Sequence, residues 1–273
     1  MQRKSEILSS SRRLKRRRRV VKVAIYSVTT LALLLGFVFL FRIQLLRVSK
    51  VAVNGNTFLK SEDLAAVVLS RMSGSRFLLF PGNSIFFYDG DEVEKKLLKN
   101  FPQIDEVSLT TDFPKSLALT VKEHSTYGLF CERDVCAFVD TSGEVFQRAP
   151  TYSEGVFPTF TLSGSSTAKK IGTGNDFEKF RLLPEEEFSS LKKFTDQLVK
   201  INARVDKIVI DSDRDYKLYT EDGWHIILGK GTDINAAVSN LDILLREKVR
   251  GNRNLLDYVD LRFGNKIFYK FKE

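Results

Sequence analysis

The feature that most constrains this chain is a run of 19 uncharged residues from Val23 to Phe41. At a helical rise of 1.5 Å per residue the run is about 28 Å long, close to the roughly 30 Å hydrocarbon core of a bilayer. A cleaved signal peptide is the alternative. Its apolar core is usually shorter and ends at a small-residue cleavage site, which the following FRIQLLRVSK lacks. We therefore expect a retained transmembrane helix over residues 23–43.

The positive charge of the chain is concentrated before this run. Residues 1–22 hold ten basic residues and one acid, and subtracting them from the totals of 43 and 34 leaves 33 of each. Basic residues beside a span favour the cytoplasmic side. We predict a cytoplasmic tail over residues 1–22, in which Arg16, Arg17, Arg18 and Arg19 set the topology. Because the tail has no aromatic residue that could stack on bases, we expect no nucleic-acid binding.

The two cysteines, Cys131 and Cys136, lie in GLFCERDVCAFVD. Four intervening residues can form a hairpin loop that brings both Cβ atoms to cross-strand distance. Outside the cytoplasm such a pair favours a structural disulfide, although a reduced pair is the alternative. Two thiolates with no His or further Cys nearby make a poor zinc site.

Residues 48–123 are predicted to form a small α+β domain in the order strand, helix, helix, strand, strand. Ser61 is expected to cap the first helix, and Asp89 with Glu92 makes a capping-box-like start to the second. The predicted strands are 48–53, Ile104–Leu109 and Ser116–Val121.

Residues 124–273 are predicted to form a larger, mainly antiparallel β domain with flanking helices. We expect helices at about 185–201 and 232–249, and a polar, glycine-bearing loop at 163–177. The predicted strands are Gly128–Cys131, Cys136–Asp140, Glu144–Phe146, Val205–Ile210, Tyr216–Thr220 and Trp224–Leu228.

A closing hairpin is predicted around Gly264-Asn265, with Gly at the first central position of a type II′ turn. In this register Phe263 faces Lys266 and Asp260 faces Tyr269. A last strand at Lys266–Phe271 would leave its backbone groups unpaired if it lay at a sheet edge. The sequence leaves open which face of this strand packs on the preceding helix.

The hypothesis for this strand is that a partner's extended segment pairs with it by β-augmentation. Its lysines would discourage unwanted pairing, and its aromatic residues would anchor the wanted partner. The predicted partner-binding residues are Phe263, Lys266, Ile267, Phe268, Tyr269 and Phe271.

No catalytic constellation is indicated by the sequence. The two histidines, His124 and His225, lie in no motif with metal-ligand spacing, and no G-x-S-x-G occurs. The GTG at 172–174 lacks a preceding strand, so it does not have the context for phosphate binding. We expect Trp224 to be a core residue, and we expect no cofactor.

From about residue 12 to 271 the chain resembles the FtsQ/DivIB family of cell-division proteins. VSKVAVNGN and FPQIDEVSLTTDFPKSLALTVKEH look like the first and last strands of the family's POTRA domain. CAFVDTSGEVF, DGWHIILG and YVDLRF are similar to the family's β domain. The cysteine pair is not a general family feature, and the loop around 163–180 resembles an insertion.

This resemblance implies a non-enzymatic divisome scaffold in the cytoplasmic (inner) membrane at the septum, with its C-terminal domain extracytoplasmic. It implies FtsB/DivIC-like and FtsL-like single-span partners and an indirect effect on the septal peptidoglycan synthase complex. Phe263 stands at the family's aromatic position after Asp-Leu-Arg. Two alternatives remain: a POTRA-bearing protein of envelope protein export or assembly, and a membrane-tethered hydrolase.

We predict that the arginine cluster sets the topology. Replacing Arg16–Arg19 with neutral residues should weaken or invert membrane insertion, because orientation follows the Lys/Arg bias beside the span. A topology reporter fused after Glu273 measures this. A reporter that stays fully extracytoplasmic when every basic residue up to Lys22 is removed contradicts the prediction.

Overall fold

A computed structural model describes most of the chain as two units, Met1–Glu123 and His124–Glu273. Each unit has its own cluster of buried apolar side chains. The residues described are 2–40, 47–73, 75–76, 80–81, 83–85, 88–150, 156–163, 171, 177–211 and 215–273.

A single helix, α1 (Gln2–Leu40), contains the basic tail and most of the apolar run. It is the one helix among the described residues that is long and apolar enough to cross a membrane, with its most apolar stretch at Arg19–Phe37. Residues 41–43 of the expected span lie outside the described residues. The helix extends back through the tail because Lys, Arg and Leu are good helix formers.

The rest of the first unit confirms the predicted order of strand, helix, helix, strand, strand, and adds two short antiparallel strands between the helices. Its three-stranded sheet has the order β1-β5-β4, with β1 parallel and β4 antiparallel to β5. The elements are β1 (Lys50–Asn54), α2 (Ser61–Met72), β2 (Ser75–Arg76), β3 (Phe80–Pro81), α3 (Gly90–Asn100), β4 (Ile104–Asp112) and β5 (Ser116–Glu123).

One of the two predicted helix caps in this unit is wrong. Ser61 is the first helical residue and not the cap: Lys60 holds that position, with no side-chain hydrogen bond to the helix. The Ser61 hydroxyl instead accepts a hydrogen bond from Asn56 Nδ2 at 3.1 Å. The cap of α3 is confirmed, because the Asp89 carboxylate accepts from the Glu92 backbone N–H at 3.2 Å.

The second unit is a ten-stranded sheet with two helices, mainly antiparallel as predicted. The sheet order is β10-β8-β7-β6-β9-β11-β12-β13-β14-β15. The elements are β6 (Thr126–Glu132), β7 (Val135–Asp140), β8 (Glu144–Arg148), β9 (Thr159–Ser163), β10 (Phe180–Arg181), α4 (Glu185–Lys200), β11 (Val205–Asp211), β12 (Asp215–Thr220), β13 (His225–Gly229), α5 (Ile234–Leu244), β14 (Leu256–Phe263) and β15 (Lys266–Phe271).

Strand β9, which the sequence did not predict, joins the two halves of this sheet. It runs parallel to β6 on one side and to β11 on the other. Gly128 permits the approach: a Cβ there would lie 2.6 Å from the Phe160 ring and 2.8 Å from the Pro158 carbonyl oxygen. Most of the expected loop at 163–177 lies outside the described residues.

Helices α4 and α5 supply apolar side chains to the core of this unit. Phe188, Phe194 and Leu198 of α4 are buried in the same cluster as Leu241 of α5. Trp224 is fully buried, as expected for a core residue. The expected helix over 232–249 is interrupted: α5 ends at Leu244 and a π-helical turn follows at Leu245–Val249.

Cys131 and Cys136 lie opposite each other in β6 and β7 and are joined by a disulfide, with Cα atoms 4.1 Å apart. The closed loop is short, and the neighbouring strand pairs hold the hairpin by their own backbone ladder. The bond therefore adds a local constraint to a hairpin that is already paired.

We predict that replacing both cysteines with Ser leaves the fold intact. A loop this small should contribute at or below the roughly 3 kcal/mol expected for a 15-residue loop. Chemical denaturation measures the loss. Mass spectrometry of unreduced peptides from envelope preparations is the accompanying control, and two free thiols there would contradict the disulfide.

Candidate functional site

Strand β15 lies at one edge of the ten-stranded sheet and pairs with β14. Five of its six residues are exposed, and Ile267 is half-buried against the core. The outer backbone edge of β15 therefore faces no other strand among the described residues, which is the arrangement that the β-augmentation hypothesis requires.

The register of the closing hairpin differs from the prediction beyond the turn. Gly264 has a φ of +66°, as the turn requires, and Phe263 pairs with Lys266. Asp260, however, pairs with Phe268 and not with Tyr269. An extra residue in β14 between Asp260 and Phe263 causes this shift, and a second extra residue follows Leu256. Such bulges increase the local twist of a strand pair.

Each face of the edge carries a pair of aromatic rings. Phe263 and Phe268 lie on one face, with ring centroids 5.2 Å apart. Tyr269 and Phe271 lie on the other face, 5.7 Å apart. Ile267 belongs to the second face, which is therefore the face that continues into the core.

The backbone of β15 alternates between β14 and the open edge. Lys272 N–H donates to the Leu255 carbonyl oxygen at 2.7 Å, so the backbone of Lys272 points towards β14. Both extra residues are in β14, so the period of two along β15 is unbroken. The backbone groups of residues 267, 269 and 271 consequently point away from β14.

An arginine that the sequence analysis missed holds this end of the sheet. Arg262 donates from Nη2 to Asp260 Oδ2 at 2.6 Å and from Nη1 to Asp215 Oδ2 at 2.7 Å. It thereby links β14 to β12 across β13. Its guanidinium also lies 5.5 Å from the centre of the Phe263 ring. The signal was Asp-Leu-Arg itself, in which the acid and the base are two residues apart.

This network sets the ionisation of Asp260. Burial acts to raise the pKa of this carboxyl, but the hydrogen bonds from the Arg262 side chain and backbone outweigh it and hold the pKa below the ordinary 3.8. The pKa of Arg262 is raised by its hydrogen bonds to Asp260 and then to Asp215. Asp260 and Arg262 are therefore both charged at neutral pH.

Stacked rings cover the sheet next to this edge. His225 stacks on Tyr219 at 5.2 Å and lies 5.8 Å from Tyr258, so the three rings cross β12, β13 and β14. Burial lowers the pKa of His225, which keeps the imidazole neutral at pH 7. His225 is a half-buried residue of β13.

A second buried polar cluster lies away from the edge. His124 Nδ1 is 2.7 Å from Asp140 Oδ2, and Lys179 Nζ lies 3.0 Å from His124 Nε2. Since an ammonium can only donate, Nε2 accepts and Nδ1 carries the proton. Burial opposes ionisation of Asp140, but its bonds from His124, Ser142 and Glu144 lower the pKa to about 2. The His124 side chain is only 1% exposed, so this cluster lies in the interior of the second unit.

The remaining site predictions fall elsewhere in the chain. Arg16–Arg19 lie within α1, and Cys131 and Cys136 lie in the hairpin of β6 and β7. Among the residues that the structure describes, no group of three or more His, Cys, Asp or Glu side chains is arranged to hold a metal ion.

Comparison with known protein families matches both units. A family model described as "POTRA domain, FtsQ-type" matches residues 46–124. A second, described as "Cell division protein FtsQ/DivIB, C-terminal", matches residues 132–262. A search of curated proteins found no match. The second match includes β14 as far as Arg262, with Asp260, and ends just before Phe263.

We predict that Arg262→Met destabilises the second unit by about 1 to 2 kcal/mol at pH 7. The loss is below the roughly 3 to 5 kcal/mol for a fully buried pair because the Arg262 side chain is 37% exposed. The pKa of Asp260 in the folded state lies below the ordinary 3.8, so its contribution to stability is complete above about pH 4 and is lost as the pH falls through the lowered, folded-state pKa. The difference in the free energy of unfolding between Arg262→Met and the wild type should therefore become smaller at acid pH.

Urea denaturation at pH 7 and near pH 3 measures this difference. Arg204→Met is the matched control, because Arg204 lies 3.4 Å from Glu221 in a pair that is exposed on both sides. It should change stability little at either pH. An Arg262→Met loss of the same size at both pH values contradicts the proposed role of Asp260.

Proposed function

Because the chain belongs to the FtsQ/DivIB family of cell-division proteins, we propose that it is a membrane-anchored scaffold whose β15 edge binds an extended segment of an FtsB/DivIC-like partner. Members of this family are non-enzymatic components of the division machinery. The observation that carries the proposal is the open backbone edge of β15, with aromatic rings on both faces.

The backbone of this edge supplies the pairing groups. Residues 267, 269 and 271 present their N–H and C=O groups outward, so a partner strand can form a ladder without disturbing β14. Main-chain bonds of this kind provide affinity, and pockets for alternate side chains provide specificity.

The side chains of β15 indicate what the partner strand carries. Lys266 and Lys270 share a face with Phe268, so a partner with acidic residues beside an apolar one complements that face. The other face presents Tyr269 and Phe271, which favour apolar or aromatic partner residues. The partner is then an alternating strand with acids on one side.

The same proposal extends to topology and location. The basic tail before the apolar stretch of α1 favours an N-terminus in the cytoplasm, with both folded units outside it. We propose single-pass anchoring, location at the division septum, an FtsL-like second partner and an indirect effect on septal peptidoglycan synthesis. A fluorescent fusion at midcell supports this, whereas an even peripheral signal favours the export or assembly alternative.

We predict that Tyr269→Ala or Phe263→Ala weakens partner binding by about 1 to 3 kcal/mol, because truncating an aromatic anchor costs this much at an interface centre. Binding of an FtsB/DivIC-like segment is measured by calorimetry with the full extracytoplasmic region in place. Phe263 is 53% exposed and Tyr269 41% exposed, so both variants should keep the wild-type circular dichroism.

A proline at position 269 distinguishes the contribution of the backbone N–H to partner binding from the contribution of the aromatic ring. Tyr269→Pro and Tyr269→Ala both remove the ring, but only Pro removes the outward N–H, and Pro is tolerated where that N–H faces solvent. Tyr269→Pro should therefore bind more weakly than Tyr269→Ala while remaining folded. Position 268 is unsuitable for this test because its backbone points towards β14. Folded variants that all bind as wild type refute the proposed edge.

A further inference from the structure

The two ends of the first unit's sheet carry one exposed phenylalanine each. Phe113, in the turn between β4 and β5, is 67% exposed, and Phe58, in the loop after β1, is 86% exposed. Single exposed apolar side chains are common on proteins. Phe113 and Phe58 differ, however, in their distance from the point where the chain enters this unit.

The Phe113 turn lies at the end of the sheet where the chain arrives from α1. Arg47 pairs with Ser84 in an isolated antiparallel β-bridge of the backbone. The Ser49 N–H donates to the Lys115 carbonyl oxygen at 3.0 Å. Since β1 runs parallel to β5, Lys50 lies beside Ser116, the first residue after the turn. Phe58 lies in the loop beyond Asn54, the last residue of β1, which is about 13 Å from Lys50 along the strand direction.

The distance from the apolar helix to this turn is limited by chain length. Six residues, 41–46, separate Leu40 at the end of α1 from Arg47. Even fully extended, the chain from Leu40 to Arg47 spans at most about 25 Å. The Phe113 turn is therefore kept within reach of the bilayer surface once α1 spans the membrane.

Charge distinguishes the two ends in the same sense. Around the turn, Arg47, Lys50 and Lys115 stand against a single acid, Asp112. Around Phe58, the bases Lys60 and Lys122 are outnumbered by Glu62, Asp63 and Glu123, and Lys122 is itself paired with Asp105 and Glu106. An apolar side chain with mainly basic neighbours is attracted to an anionic lipid headgroup layer, whereas one with mainly acidic neighbours is repelled by it.

The Phe58 loop also has a structural explanation of its own. The Glu123 carboxylate accepts hydrogen bonds from three consecutive backbone N–H groups, those of Thr57, Phe58 and Leu59, at 2.8 to 3.1 Å. The loop is held to the end of β5 at Glu123, whereas the Phe113 turn precedes the start of β5 at Ser116. It serves as a matched control for Phe113.

We propose that the Phe113 turn inserts into the lipid interface and holds the first unit against the membrane surface. The lysines beside it contact anionic headgroups, and the phenylalanine lies at the level of the upper acyl chains. This contact acts in addition to α1 and rests on the proposed membrane anchoring. It is independent of the partner edge at β15.

The test uses the full chain in nanodiscs of phosphatidylglycerol and phosphatidylcholine. Thr111→Cys, next to the turn and exposed, is labelled with an environment-sensitive fluorophore, and doxyl-labelled lipids act as the quencher. Insertion predicts a blue shift and quenching. Phe113→Ser should reduce both, Phe113→Leu should restore them, and Phe58→Ser should leave them unchanged.

Two results overturn the proposal: no quenching at position 111, or quenching that Phe113→Ser leaves unchanged. Failure of the anchor itself is distinguished because the chain then does not co-elute with the nanodisc. Partner binding by the β15 variants reports separately on the proposed function. Circular dichroism of each variant verifies that the exposed substitutions leave the fold intact.

Discussion

The second unit depends on one parallel strand of five residues. β9 is the only described strand that connects the β6 side of the sheet to the β11 side, and it pairs in parallel with both. Its contact with β6 requires that position 128 have no side chain, because Phe160 and the Pro158 carbonyl occupy that space. Phe160 then packs against Phe188 of α4, so the junction and the helix layer share one core contact. The open edge at β15 therefore belongs to one continuous ten-stranded sheet, whose two halves can join because position 128 is glycine.

Local signals in the sequence predicted most elements, and long-range pairings explain the failures. The apolar run, the Asp89 cap and the Gly264 turn each act within a few residues, and the structure contains all three. β9 was missed because the pattern TFTLS is short and its partners are some 30 and 50 residues away along the chain. Ser61 was assigned as a cap because residue type alone does not reveal the backbone that Lys60 adopts.

The residues of the candidate site were predicted from the sequence, but most of their pairing across the hairpin was not. Composition identified the aromatic and lysine residues of β15, and the turn fixed the Phe263–Lys266 pair. The extra residues in β14 were not foreseen, because a bulge leaves no period in the sequence and here is stabilised by the Asp260 carboxylate accepting from the Arg262 N–H at 3.1 Å. The same bulge determines which residues face each other across the hairpin. The register predicted from the turn is thus correct for Phe263 and Lys266, next to the turn, and wrong for Asp260, beyond the bulge.

The edge position of β15 has a mechanical consequence. A strand added beside it would be held by hydrogen bonds perpendicular to its axis, so tension along that axis loads all of them together in shear. Tension at right angles would instead open them one after another, at much lower force. A scaffold in a constricting envelope that is gripped through such an edge would resist pulling along the strand and release readily when peeled. The direction of the load, as well as the affinity, would then decide how long the complex lasts.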